Sequence, residues 1–193
     1  MKTLIIHPEE EDFSTSFLNQ IYKDIPCCRV ITKNLPKDEL IDALIKAQNI
    51  LLLGHGDKNG LFSNSKYIID SDLGKLLESK NCILIFCHAN DFVINNKLNF
   101  NSVASGMFIS EISELIYLDD SFEFEEEIEA YQPMIDESNN AFSSILGNLL
   151  KENSFDDLSL IYEKLKNEYG EDVAKRNEVA AYNYERLFLS LVK

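Results

Sequence analysis

The stretch that decides the fold opens with Ile50-Leu51-Leu52-Leu53-Gly54-His55-Gly56 and closes with Cys82-Ile83-Leu84-Ile85-Phe86-Cys87. Two short apolar runs without polar alternation are the pattern of strands buried on both faces of a parallel sheet. Each run ends in a reactive side chain, an imidazole in the first and a thiol in the second. Parallel neighbours bring their C-terminal ends to the same sheet edge, where open α/β sheets take their ligands. His55 and Cys87, 87 − 55 = 32 residues apart, are therefore expected to meet in space.

The flanking chain repeats the alternation. Residues 2–7 read as a first strand, with an apolar core too short for a signal peptide. A helix is predicted from Ser14 or Thr15 to about Asp24, with Phe17, Leu18, Ile21 and Tyr22 at helical spacing. Residues 28–33 form a second strand, and a helix opened by Pro36 carries Leu40, Ile41, Leu44 and Ile45 on one face. The order β-α-β-α-β argues for a doubly wound sheet with right-handed crossovers.

After His55 the sequence changes character. Asp57-Lys58-Asn59-Gly60 is turn chemistry, and residues 61–64 and 67–69 are predicted to pair as a small hairpin beside the site. Asp70 or Ser71 caps a helix to about Ser79. The Asn-rich segment 91–100 is expected to cover the sheet edge as a loop or short helix. Between 102 and 118 the pattern is ambiguous; the reading taken is a helix near 103–107 and a strand near 114–118. Beyond it an acidic run, 119–129, leads into three predicted helices at 135–151, 156–169 and 172–191, the middle one ended by Gly170.

The chemistry of the pair is specific. A free thiol with a pKa near 8.5 is only slightly ionised at neutral pH. A neighbouring imidazole can accept its proton and later return it to a leaving amine. Gly56, lacking a Cβ, lets backbone approach a substrate carbonyl, so the N–H groups of Gly56 and Cys87 are candidate oxyanion donors.

An apolar run ending in His-Gly, followed by a second ending in Cys, resembles the caspase-like cysteine peptidases, a group that includes caspases, metacaspases, gingipain, clostripain, separase and the CHAT domains. The likeness covers roughly residues 1–118. It implies a three-layer α/β/α sandwich with a mostly parallel sheet, caspase-like (flavodoxin-related) in topology, and a cysteine endopeptidase activity. His55 and Cys87 would be the catalytic dyad, with Gly56 and Cys87 supplying the oxyanion N–H groups and no cofactor needed. The surroundings Phe86-Cys87-His88-Ala89-Asn90 depart from the Gln-Ala-Cys-Arg-Gly of true caspases and from the Ala-Cys-Glu-Thr-Gly of many CHAT domains. That departure keeps a second expectation in play, a catalytically inactive interaction or regulatory module. Basic-specific relatives line their pocket with an acid, which makes Glu111, Glu114 and Asp119 the substrate-binding candidates. A third reading is an unrelated flavodoxin-like module, which a sheet order separating the two motif strands would favour.

Bulk properties set the remaining bounds. At 193 residues the chain is expected to be one domain, with 1–118 as the sheet core and 119–193 as an acidic helical part of it. Residues 1–110 hold 11 Lys/Arg against 13 Asp/Glu, and residues 111–193 hold 7 against 20, which sums to the net −15. That charge argues against nucleic acid as a partner, which needs a basic footprint. It allows a peptide or protein substrate, basic ones included, and a protein partner on the acidic helical region. No apolar run has the length of a membrane span. Four cysteines without a Cys-x-x-Cys point to free thiols in a cytoplasmic protein. No metal site is expected, since the ligand spacings are missing. Gly-x-Gly-x-x-Gly, a Walker lysine and a Gly-x-Ser-x-Gly elbow are absent as well. Cys82, Cys27 and Cys28 read as structural, His7 as a passive neighbour of the cleft, and His88 as pointing away from it.

Overall fold

The computed structural model describes residues 2–8, 14–26, 28–118, 128–153 and 155–192. Its centre is a six-stranded sheet assembled from the apolar runs. The strands are β1 (Thr3–Ile6), β2 (Cys28–Ile31), β3 (Asn49–Leu53), β7 (Asn81–Ile85), β8 (Asn101–Ser105) and β9 (Leu187–Ser190), in the order β2-β1-β3-β7-β8-β9. All neighbours run parallel except β9, which is antiparallel to β8. A second, three-stranded antiparallel sheet consists of β4 (Gly56–Asp57), β5 (Gly60–Ser63) and β6 (Lys66–Ile69).

Alternate residues of the parallel strands feed two separate cores, as the two-residue period of a strand requires. Leu4, Ile6, Ile50, Leu52, Cys82 and Leu84 face α2 (Lys37–Lys46), α3 (Ser71–Gly74) and α4 (Ala89–Asn95). Ile5, Leu51, Leu53, Ile83, Ile85 and Val103 face α1 (Asn19–Tyr22), α6 (Gln132–Glu152) and α7 (Leu158–Tyr169). Helices therefore cover both faces of a mostly parallel sheet. That double burial explains why β3 and β7 lack polar alternation. Cys82 is fully buried among them, as expected of a core residue.

Local signals place several elements as read. Asp70 caps α3, accepting from the N–H groups of Asp72 and Leu73. The β5–β6 hairpin turns through Asn64 and Ser65, both with positive φ. The first predicted helix is shorter than expected: a single 3₁₀ turn, Ser16–Leu18, runs into α1. Tyr169 ends α7 in a π-helical segment, Gly170–Ala174, where the sequence predicted a stop at Gly170.

Two assignments are reversed. Of residues 103–107, read as helix, 103–105 belong to strand β8 and 106–107 form a bend after it, and 114–118, read as strand, belong to α5 (Ile112–Leu118). β8 is short and built from small residues, so its own pattern is weak; what makes it a strand is pairing with β7 on one side and β9 on the other. The long helix predicted over 172–191 is instead α8 (Glu178–Glu185) followed by β9. The reversal at Arg186 lets 187–190 cover an edge of β8 that would otherwise be unpaired. The acidic run 119–127, with Asp119, and Cys27 lie outside the described residues.

Candidate functional site

Register brings the two motifs together. Leu53 pairs with Ile85 in the β3–β7 ladder, and the Gly54 N–H donates to the Ile85 carbonyl at 3.1 Å. Two residues beyond this level pair, one strand leads to His55 and the other to Cys87. Strand order thus keeps the motif strands adjacent, and the separated order that would favour an unrelated module is not the one present.

Both side chains line one cleft of about 490 Å³, together with Asp57, Lys58, Phe62 and Met107. Its size is within the usual range for ligand clefts. His55, Cys87 and Glu114 also border a smaller cavity walled by Thr15, Phe17, Ile85 and Phe108.

Glycine shapes the approach of His55. Gly54 has φ +132°, a backbone conformation that side chains disfavour. A Cβ at Gly56 would stand 2.2 Å from Cδ2 of Phe86 and 2.8 Å from the Gly60 carbonyl oxygen. The glycine is thus required by packing on Phe86, a reason distinct from access to a substrate. The His55 carbonyl accepts from the Phe62 N–H, which makes that pair the hydrogen-bonded one and Gly56–Leu61 the next, non-bonded one. The Gly56 N–H therefore points away from β5.

Cys87 sits in the turn between β7 and α4. On either side of it, the Phe86 N–H donates to Ser105 Oγ and the His88 N–H to the Gly106 carbonyl. The Cys87 N–H has no acceptor among the described residues. His88, with φ +61°, takes the left-handed conformation that redirects the chain into α4. Its Nδ1 contacts Asp91 at 2.9 Å, and the residue is among those bordering the same cleft as Cys87.

The hydrogen-bond partners differ from a simple dyad. The Cys87 thiol donates to Glu114 Oε1 at 2.9 Å and lies 3.5 Å from the Phe108 carbonyl. Glu114 is 9 % exposed. Its other oxygen accepts from the N–H of Ser110 and of Glu111 and from the Ser110 hydroxyl, in the manner of a carboxylate closing a helix start. Burial, then the Glu114 charge and its hydrogen bond, push the Cys87 thiol well above its ordinary pKa. His55 Nε2 shares a 2.7 Å hydrogen bond with Ser14 Oγ, and its ring stacks on Phe62.

Of the acids named from sequence, Glu114 borders the same cleft as His55 and Cys87 and is also the thiol's hydrogen-bond partner. Glu111 borders a neighbouring depression and accepts from the Ser113 hydroxyl. His7 is buried and held by Tyr22 and Thr15, a structural role. Ser14, read from the sequence only as a helix start, and Phe62 and Ser110 carry no functional signal in the sequence. Ser14 is 41 residues from His55, and no local pattern relates the two. Among the described residues the cysteines are free thiols, no group of three His, Cys, Asp or Glu is placed to hold a metal, and no helix is long and apolar enough to cross a membrane. No protein-family model matches this chain, and no curated protein matches it.

Proposed function

We propose that the protein is a cysteine endopeptidase of caspase-like topology, acting through His55 and Cys87. The observation that supports it most is the level register of β3 and β7, which delivers an imidazole and a thiol to one cleft. In this reading Ser14 holds Nε2 of His55, leaving Nδ1 as the atom that takes the thiol proton. The thiolate attacks the scissile carbonyl, and the N–H groups of Gly56 and Cys87 hold the resulting oxyanion. The imidazolium returns its proton to the leaving amine as the C–N bond breaks. Water, deprotonated by His55, then hydrolyses the thioester and frees Cys87. The cycle needs no cofactor. It starts with Cys87 exchanging Glu114 for His55, since a thiol donating to a buried carboxylate is the unreactive form. Free thiols suit a reducing compartment, and we assign the protein to the cytoplasm.

The test is hydrolysis of a mixed peptide library by wild type and by Cys87→Ala. Cleavage by wild type alone supports the mechanism, and equal cleavage by both excludes it.

A second reading, a non-catalytic interaction or regulatory module that contacts its partner through the acidic helical region, is favoured by one observation. The raised thiol and its bond to Glu114 describe a sulfur kept neutral. Labelling of Cys87 by an electrophilic peptide, suppressed in His55→Ala, decides against that reading.

A further inference from the structure

We propose that the groove between β6 and the loop joining β2 to α2 is a docking site for an extended acidic peptide carrying apolar side chains at alternate positions. This inference does not rest on the peptidase reading, and the groove is separate from the His55–Cys87 cleft. The cavity there measures about 220 Å³. Its floor is the outer surface of one core: Ile6, Ile31, Leu40 and Leu73, with Leu35 beside them.

Charge argues for an acidic occupant. Lys33, Lys37 and Lys66 surround this floor, all three exposed. None of them forms a direct ion pair among the described residues. The acid on the lining, Asp70, is committed to the first turn of α3. Three ammonium groups thus gather around one concavity in a chain of net charge −15, with Lys37 also acting on the Asp72 carboxylate. They concentrate a positive potential where the rest of the molecule repels anions.

Strand geometry argues for an extended occupant. β6 is the outer strand of its sheet and pairs only with β5. Lys66, Tyr67 and Ile68, three successive residues of that strand, all border the groove. An unpaired strand edge beside an apolar trough is what a peptide uses when it adds a strand, its backbone supplying affinity and alternate side chains filling the trough. The edge is also held in place. The Tyr67 hydroxyl donates to Asp57 at 2.8 Å, and Tyr67 packs edge-on against Phe62. A preformed edge costs little to order on binding.

The experiment uses the full chain and a fluorescein-labelled decapeptide of alternating glutamate and leucine, read by anisotropy. Wild type is expected to bind, with affinity falling as salt is raised. The double variant Lys33→Glu/Lys66→Glu is expected to bind about tenfold more weakly or worse, and Lys175→Glu, a lysine outside the groove, as wild type does. Amide resonances of residues 66–68 are expected to shift on titration. N-methylation of alternate peptide amides is expected to cost about tenfold. Failure of wild type to bind would overturn the proposal. So would unchanged affinity in a double variant whose melting temperature shows it folded, or equal affinity for a lysine–leucine peptide. Displacement by millimolar inorganic phosphate would make this a small-anion site and overturn it as well. Retained affinity of the N-methylated peptide would exclude strand addition.

Discussion

The Cys87 thiol and Glu114 Oε1 are 2.9 Å apart, and the sulfur is the donor. The carboxylate that receives it is anchored by its other oxygen to the start of α5. A nucleophile candidate is thereby tied to a helix that begins 25 residues further along, 112 − 87. Its protonation depends on that helix start remaining in place.

The first prediction concerns this contact. Wild-type Cys87 should react slowly with iodoacetamide at pH 7.5. Glu114→Gln removes the negative charge while keeping an oxygen acceptor, so the thiol pKa falls and alkylation accelerates, about tenfold for each unit recovered. The alkylation rate followed from pH 6 to 10 in both proteins, with mass spectrometry locating the label, checks it.

Stability should respond to alkali with a definite sign. Cys82 and Cys87 both have thiols raised by burial in the folded protein. Groups raised on folding stabilise the native state fully below the unfolded thiol pKa, near 8.5, and that contribution is lost as pH rises beyond it. Urea midpoints at pH 7.5 and 9.5 should therefore fall, and Cys87→Ala should fall less than wild type.

Gly56→Ala should cost about 1–3 kcal/mol of stability, because its methyl group meets the Phe86 ring. Phe86→Leu in the same chain should recover part of the loss, giving a non-additive double-mutant cycle by urea unfolding. Additive costs would mean that the strand shifts instead of the ring.

Asn183 in α8 ties the Cys87 wall to the helical layer. Its oxygen accepts from the Ile109 N–H, and its amide donates to the Ile109 carbonyl and to Ser138 Oγ. Asn183→Ala should destabilise the fold by about 1–3 kcal/mol for each backbone group left unpaired. Amide exchange at Ile109 should quicken.

If peptide cleavage is observed, Ser14→Ala should lower kcat by about tenfold or more with little change in KM, since Ser14 orients His55 and does not bind substrate. Ser14→Thr should restore part of the rate. A change confined to KM would remove the orienting role.

Much of the sheet was legible because burial on two faces leaves a direct mark on β1, β3 and β7, and turn chemistry marks the β5–β6 hairpin. Asp70 likewise announced its cap. The pairing of β3 with β7, inferred from chain order, placed His55 and Cys87 at one edge. Residues 101–118 and 187–190 carried no comparable mark. Small side chains in β8 fit a strand only between two partners, and β9 is a strand because β8 offered it an edge.

What the amino-acid order determined alone, then, was the local alternation, the runs that had to be buried and the reactive groups at their ends. Tertiary structure decided what those groups touch. Glu114 reaches Cys87 across 27 residues and Ser14 reaches His55 across 41. Periodicity reports on neighbours a few positions apart, whereas contacts of that span depend on how whole helices and loops dock against the sheet.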